Sequence, residues 1–406
     1  RPASALRTKV MLPASKSISN RLLILNALAS GARGPGNLSD SDDTRLMRDA
    51  LESDREEKDI GHAGTAMRFL TAYYSCRPGT VIMTGSQRMK ERPVGVLVDA
   101  LRKLGASIGY LGREGYPPLR IRGRELKGGE LVIDGSISSQ FISALLMIAP
   151  VLRDGLTLSL QGSVVSSAYI QMTLSLMERY GARFNREKER ITVQPGGYTS
   201  VDTMVESDWS AASYWYSMAL LSRHAHLELA RLERESLQGD RVLVDIFRNL
   251  GVVTSFGEEG KVRIEKIMDI IPPRFTGDFS DSPDLVQSMA VALCFAGIPF
   301  RVTGTQTLRI KETDRIAALQ QEMRKLGFVL RSDAGGQFLA WEKETVEPEA
   351  EPVIATYNDH RMAMAFVPVA LSQGSVLIDD PGVVSKSYPG FWEDLRAAGF
   401  FVEEAE

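Results

Sequence analysis

Leu97-Val98-Asp99-Ala100-Leu101-Arg102-Lys103-Leu104-Gly105 places three leucines on one helical stripe and then a glycine. Helical spacing of this kind asks for burial of one face, and the glycine supplies the left-handed residue that closes a helix. The signature returns as Thr173-Met177-Tyr180 before Gly181 and as Leu243-Phe247-Leu250 before Gly251. It returns again as Leu319-Met323-Leu326 before Gly327 and as Phe391-Leu395-Ala398 before Gly399. The five glycines, at 105, 181, 251, 327 and 399, are 76, 70, 76 and 72 residues apart. A unit of about seventy residues therefore builds the chain, repeated five times and, with a shorter opening copy, six.

After four of the glycines an apolar run, a polar turn and a second apolar run follow. The turns are Gly112-Arg113-Glu114-Gly115, Asn185-Arg186-Glu187-Lys188, Gly257-Glu258-Glu259-Gly260 and Asp333-Ala334-Gly335-Gly336. They read as hairpins. Each full unit is then β-α-β-α-β-β, which predicts an α/β fold. The polar segments opening the first helix of each unit begin near Lys16, Gly64, Ser138, Asp208, Asp284 and Asp359. Unit one has no evident hairpin after Leu51. Either the hairpin is absent or a stretch is missing between Leu51 and Gly61; the charged join at 53–59 favours the second. Six units predict two similar domains of three. The expected boundaries are 1–14 plus 205–406, with both termini in one domain, and 15–204.

The 406 residues exceed one usual core, so two domains agree with length alone. A net charge of -3 argues against a nucleic-acid partner, which calls for a basic excess. Apolar runs at 141–152 and 289–300 are too short to span a bilayer. The basic N-terminus lacks the apolar centre of a signal peptide. A cytoplasmic enzyme is the expectation. Cys76 and Cys294 read as small buried residues rather than a disulfide or metal site.

The opening motifs carry the chemistry. Leu12-Pro13-Ala14-Ser15-Lys16-Ser17-Ile18-Ser19-Asn20-Arg21 puts hydroxyls and cations at a helix start, where free N–H groups and the helix dipole favour an anion. His62-Ala63-Gly64-Thr65-Ala66-Met67-Arg68 repeats the arrangement, with Gly64 allowing close approach to the backbone. Arg88-Met89-Lys90-Glu91-Arg92-Pro93 holds three cations at a strand–helix junction. Gly135-Ser136-Ile137-Ser138-Ser139-Gln140 offers hydroxyls and an amide, and Ser166 is a weaker candidate that also suits a cap. Asp284 opens a helix, where a cap carboxylate is the plain alternative. Arg309-Ile310-Lys311-Glu312-Thr313-Asp314-Arg315 interleaves acids and bases, as proton transfer near a bound anion requires. Asn358-Asp359-His360-Arg361 opens a helix over 362–371, and Ser385-Lys386-Ser387 precedes the last one. These motifs fall at helix starts in five of the six units; the fourth opening, near Asp208, carries no Lys or Arg and reads as structural. Together they predict a cleft for a substrate with several phosphate or carboxylate groups.

Seven of these stretches in order, 12–21, 63–68, 88–93, 138–140, 311–315, 358–364 and Lys386, resemble the 5-enolpyruvylshikimate-3-phosphate synthase family along essentially the whole chain. The resemblance implies two similar domains forming an inside-out α/β barrel. It implies transfer of the enolpyruvyl group of phosphoenolpyruvate to the 5-hydroxyl of shikimate 3-phosphate, in the shikimate pathway to aromatic amino acids, with release of phosphate and with no metal or organic cofactor. It implies a monomer with no nucleic-acid or membrane partner.

Position by position, the resemblance makes Asp284 the base for the 5-hydroxyl, with Glu312 and Lys16 as proton carriers. Lys16, Ser17, Arg21, Ser138, Ser139, Gln140, Ser166, Asp284 and Lys311 would bind shikimate 3-phosphate. Lys16, Gly64, Arg88, Gln140, Arg315, Arg361 and Lys386 would bind phosphoenolpyruvate and the inhibitor glyphosate. Gly64 implies glyphosate sensitivity, lost on Gly64→Ala because the methyl crowds the inhibitor. Three positions depart from the family. His62 stands where Asn is frequent, Thr307 where a substrate-binding Asn is frequent, and Phe69 where Pro is frequent; Phe69 is placed to shift Gly64. The related UDP-N-acetylglucosamine enolpyruvyl transferases use a Cys in the loop at 86–93, which has none here. A non-catalytic anion-binding ring of repeats would gain nothing from Glu312.

Overall fold

In this computed structural model, residues 5–31, 34–136, 138–162 and 164–404 are described. Residues 1–4 and 405–406 of the expected domains, and Ile137 of the Gly135–Gln140 motif, lie outside them. The chain divides into two compact units: the described residues of Arg1–Pro13 with Glu206–Glu406, and Ala14–Val205.

The five closing glycines all have φ between 87° and 102°. Four of them sit inside the same 6→1 closure: Ala106 N–H donates to Leu101 O, Ala182 to Met177, Phe328 to Met323 and Phe400 to Leu395, at 2.9–3.0 Å. That bond satisfies a carbonyl left open by the helix end, and its geometry needs the positive φ. The stripe residues before the glycines are buried, Ala398 alone being half-exposed.

Among the described residues four sheets have four strands each, built the same way. In the Ala14–Val205 unit, Glu57–Asp59 runs parallel to Gly79–Thr84, which pairs antiparallel with the hairpin strand Leu119–Gly123 and through it Ser107–Tyr110. Gly129–Asp134, Leu156–Gln161, Arg190–Val193 and Phe184–Glu187 repeat the pattern. In the other unit, Phe275–Asp278, Phe300–Thr303, Phe338–Trp341 and Arg331–Ser332 do the same. The fourth sheet takes its first strand from far away in sequence: Leu6–Val10 lies parallel to Ala225–Leu229, with Leu6 opposite Ala225.

Three places differ from a regular repeat or from the expected elements. The described residues form no hairpin after Leu51. Helix Asp42–Glu52 closes with Ser53 N–H on Asp49 O at 2.9 Å, and four residues later strand Glu57–Asp59 begins. The charged join is held: the buried Lys58 ammonium reaches back to Ser53 O and lies 5.9 Å from the Tyr74 ring. Next, Asn185, Arg186 and Glu187 are not a turn but strand residues, and the chain reverses at Lys188 and Glu189. Asn185 and Glu187 take the exposed face of this two-faced strand, and Arg186 is half-buried on the other. Last, the helix expected over 362–371 breaks at Pro368, giving His360–Phe366 and Val369–Gln373, because proline removes a donor and clashes with the preceding turn. Cys294 is buried and Cys76 half-buried; both are free thiols. Among the described residues no helix is long and apolar enough to cross a membrane.

The first helices of the units are buried nearly all round. Trp209–Leu221, Val286–Phe295 and His360–Phe366 pack together in one unit; Lys16–Leu28, Gly64–Ser75 and Ser139–Ile148 pack together in the other. Packing on every side leaves only the helix starts for polar chemistry, and the charged motifs are there.

Candidate active site

In the Ala14–Val205 unit the helix starts gather cations, hydroxyls and amides. Arg21, 2% exposed, donates from Nε to Thr173 Oγ1 at 2.8 Å, from Nη1 to Ser17 O at 2.8 Å, and from Nη2 to Ser143 Oγ at 3.3 Å. Its guanidinium lies 5.4 Å from the Phe69 ring and 5.7 Å from that of Tyr169. None of these partners is charged, and burial pushes the Arg21 pKa down to about 10. Phe69 thus packs against Arg21. Lys16 Nζ stands 3.3 Å from Asp43 Oδ2. Ser138 caps helix Ser139–Ile148 through Gln140 N–H at 3.4 Å, and Gln140 Nε2 donates to Thr65 Oγ1 at 3.1 Å, beside Gly64. Ser166 precedes helix Ser167–Arg179 in the left-handed region, φ 56°, and its side chain does not cap. Arg88 is exposed on the short helix Gln87–Lys90, 3.4 Å from Glu91. The arginine that lies against Gly64 is Arg92, together with Arg68. His62 Nδ1 lies 2.9 Å from Ser86 Oγ and so ties two of these loops together.

In the other unit acids and bases alternate around Arg315, whose side chain is 2% exposed. Its Nε meets Asp359 Oδ2 at 2.7 Å, Nη1 meets Asp284 Oδ1 at 2.9 Å, and Nη2 meets Glu312 Oε2 at 2.9 Å. Arg361 Nη2 stands 2.9 Å from Asp284 Oδ2, its Nη1 is 3.4 Å from the Tyr214 hydroxyl, and Lys311 Nζ is 4.0 Å from Asp284 Oδ1. Asp284 is therefore not a cap: both its oxygens face guanidinium groups. Lys386 donates to Asn358 O at 2.6 Å and also to Asn358 Oδ1. Within 309–315 the charges divide by task. Arg309 and Asp314 pair at 2.9 Å and Asp314 caps the helix through Ala317 N–H, while Lys311, Glu312 and Arg315 face Asp284 or its partners.

Burial pushes the Asp284 carboxyl up, but Arg361, Lys311 and Arg315 outweigh it and hold the pKa well below the ordinary value. Burial would lower Arg315; Asp359, Glu312 and Asp284 raise it instead. Lys311 is lowered, mainly by burial. Asp240, which sequence reading passed over, is buried beside this network and accepts from Ser210. Burial and then the Asp284 charge raise it to about 7. It sits in a short 3₁₀ turn rather than at a repeated helix start, so the repeat did not reveal it. Tyr214, midway along a buried helix, carried no signal either, and Asp359 appeared only as part of a helix opening.

The chain matches the family model described as EPSP synthase (3-phosphoshikimate 1-carboxyvinyltransferase) over residues 1–55 and 51–395. A 3-phosphoshikimate 1-carboxyvinyltransferase of Bacteroides fragilis is 52% identical over 404 residues, covering 99% of this chain and 98% of the relative. One from Aliivibrio fischeri is 37% identical over 427 residues, covering 97% of each. The solved EPSP synthase from Acinetobacter baumannii shares the fold, with a TM-score of 0.76 over 99% of this chain and 98% of that one at 20% identity. That fold is the two-domain inside-out α/β arrangement. With a family match across both units and relatives aligned nearly end to end, this chain belongs to the EPSP synthase family.

Proposed function

We propose that this transferase moves the enolpyruvyl group of phosphoenolpyruvate to the 5-hydroxyl of shikimate 3-phosphate and releases inorganic phosphate. The observation that carries the reading is the Asp284 carboxylate, buried and bonded to Arg315 and Arg361 with Glu312 on the same guanidinium. A carboxylate held ionised beside groups suited to a substrate carboxylate is what deprotonating a hydroxyl next to phosphoenolpyruvate requires.

The steps balance as an addition followed by an elimination. Asp284 takes the hydroxyl proton while the oxygen bonds to C2 of phosphoenolpyruvate, and the methylene carbon gains a proton. The C2–O bond to phosphate then breaks, and a methyl proton leaves to restore the double bond. Glu312 and Lys16 carry protons at the methylene and at the leaving phosphate. In the unliganded network Asp284 is a weak base, because three cations face it. A substrate carboxylate on Arg315 and Arg361 shares that positive field, and the basicity of Asp284 rises as the reactants arrive.

Arg21, Ser17, Ser138, Ser139, Ser166 and Lys311 bind shikimate 3-phosphate in this reading. Gly64, Arg88, Gln140, Arg315, Arg361 and Lys386 bind phosphoenolpyruvate, for which glyphosate competes. The same reading makes the protein a cytoplasmic monomer. Phosphate release tests it: release should require both substrates and cease when either is withheld. Release with UDP-N-acetylglucosamine in place of shikimate 3-phosphate, or with neither, would overturn it.

A further inference from the structure

Glu322 is a carboxylate that the reaction as described so far does not use, and it is 0% exposed. It lies two turns after Arg315 on helix Arg315–Lys325. A separation of seven residues puts both side chains on one face of that helix, about 10 Å apart along its axis. Glu322 Oε2 accepts from Lys325 Nζ at 2.7 Å and from Ala355 N–H at 3.0 Å, and Oε1 accepts from the Tyr357 hydroxyl at 2.6 Å. Lys325 Nζ also donates to Val353 O at 2.8 Å. The end of the helix thus grips residues 353, 355 and 357 of one segment. Its start grips the same segment again, because Arg315 holds Asp359. Burial and the Glu322 carboxylate push the Tyr357 hydroxyl above its ordinary range, so it stays a donor.

Between the two grips the backbone is strained. Tyr357 and Asn358 are both left-handed, φ 53° and 57°, and Asp359 N–H closes the turn on Thr356 O at 2.8 Å. Turns with two such residues favour glycine, asparagine and aspartate, and a bulky tyrosine fits them poorly. Backbone of this kind persists where its surroundings hold it, and it gathers at functional sites. Here the turn leads straight into the site. Asn358 offers its O and Oδ1 to Lys386. Asp359 Oδ2 accepts from Arg315 Nε at 2.7 Å, and Oδ1 accepts from the Arg361 N–H at 2.9 Å, capping the helix that carries Arg361. A carboxylate with three donors fixes geometry as well as energy.

We propose that Glu322 is a positioning residue for phosphoenolpyruvate: by holding Ala355 and Tyr357 it keeps the left-handed turn at Tyr357–Asn358, and that turn sets Lys386, Arg315 and Arg361 in place. This rests on the proposed reaction and goes beyond it, because it gives a buried carboxylate outside the site the alignment of three of its cations.

The test compares wild type with Glu322→Gln, Tyr357→Phe and the Glu322→Gln/Tyr357→Phe double variant. Glu322→Gln keeps the shape and removes the charge; Tyr357→Phe keeps the ring and removes one donor. Each is assayed for kcat, for the KM of phosphoenolpyruvate, for equilibrium binding of shikimate 3-phosphate and for amide hydrogen exchange over residues 353–361. Thermal unfolding checks that each variant is folded. Glu322→Gln should raise the phosphoenolpyruvate KM by about tenfold, the size of one lost hydrogen bond to a charged group. The Ala355 and Asp359 amides should exchange faster, while those of helix Val286–Phe295 keep their protection. The Kd of shikimate 3-phosphate should change by less than about twofold, since Ser17, Arg21, Ser138 and Ser139 belong to the other unit. Tyr357→Phe should move the same quantities in the same direction by less, and it serves if the Gln variant does not fold. The double variant should lose less than the sum of the two, because the single changes break one shared bond.

An unchanged phosphoenolpyruvate KM in folded variants would overturn the proposal, whatever their unfolding temperatures, because a carboxylate that only supports the fold gives that result. So would equal losses for both substrates, or additive losses in the double variant. Wild type that releases no phosphate, with faster exchange at Ala355 and Asp359 in the variants, would remove the reaction and leave the anchor. Wild type that turns over with indifferent variants would remove the anchor alone.

Discussion

The two charged clusters differ in how their arginines are neutralised. Around Gly64 and Arg21 the cations meet hydroxyls, carbonyls and rings, with Asp43 beside Lys16 and Glu91 beside the exposed Arg88. Around Arg315 each cation meets carboxylates, three of them on one guanidinium. The first arrangement suits an anion from outside. The second is complete in itself and can shift protons among its own members. In the proposed reaction the uncharged partners in the Ala14–Val205 cluster suit anion binding and the carboxylates around Arg315 suit proton handling, although cations of both clusters are assigned to the substrates; composition alone could not reveal this contrast because the net charge is only -3.

Turnover should separate the two most strongly. Asp284→Ala is expected to lose about two to four decades in kcat, the usual yield of a general base, while shikimate 3-phosphate still binds. Titration of that substrate into the folded variant checks this; near-normal turnover would leave Asp284 a structural acid.

Stability comes next. Arg315→Met takes the guanidinium from the fully buried Asp359 and from the half-buried Glu312 and Asp284, and breaking such a set costs about 3–5 kcal/mol. Arg92→Met orphans no carboxylate, so the unliganded protein should change by less than about 1 kcal/mol or gain stability. Urea unfolding of both variants decides; equal losses would erase the contrast.

The pH dependence is subtler. Asp284 is held below its ordinary value, so its contribution to stability is complete above about pH 4 and is lost as pH falls through the folded pKa. Asp240 has the opposite sign. Its folded pKa is raised to about 7, so the folded state keeps a proton that the unfolded chain gives up, and its effect is a loss of stability as pH rises. That loss runs from about 4 to about 7 and is level above. Asp240→Asn should flatten this decline in urea midpoints between pH 5 and 8. An undiminished slope would show that Asp240 is not its source.

The smallest effect is expected at Phe69. Phe69→Leu removes one of two rings from Arg21, a contact of about 0.5–2 kcal/mol, and should raise the shikimate 3-phosphate KM a few-fold without moving glyphosate inhibition. A change in glyphosate inhibition alone would return Phe69 to an influence on Gly64.

Much of this was legible in the sequence because it repeats. Stripe and glycine fixed the ends of five helices, since burial and a positive φ are local demands. The site motifs were legible for the same reason: they open the buried helices, where nothing else is free to bind. What escaped had no local mark. The first strand, Leu6–Val10, was expected to join the far unit, but nothing marked Ala225–Leu229 as the strand it pairs with. The charged join of the short first unit carries no sign that Lys58 would fold back on Ser53. Asp240 and Tyr214 act through tertiary neighbours, and the choice between Arg88 and Arg92 beside Gly64 depends on side-chain direction, which spacing does not give.

Solvent deuterium tests the proton-handling assignment most directly. Wild-type protein, phosphoenolpyruvate and shikimate 3-phosphate are combined in heavy water, and the product is followed by proton and phosphorus NMR. If the Asp284–Arg315 network moves protons on and off the methylene carbon, phosphate appears together with an enolpyruvyl ether whose methylene carries deuterium. Phosphate released with no deuterium in that methylene, or no phosphate at all, would contradict it.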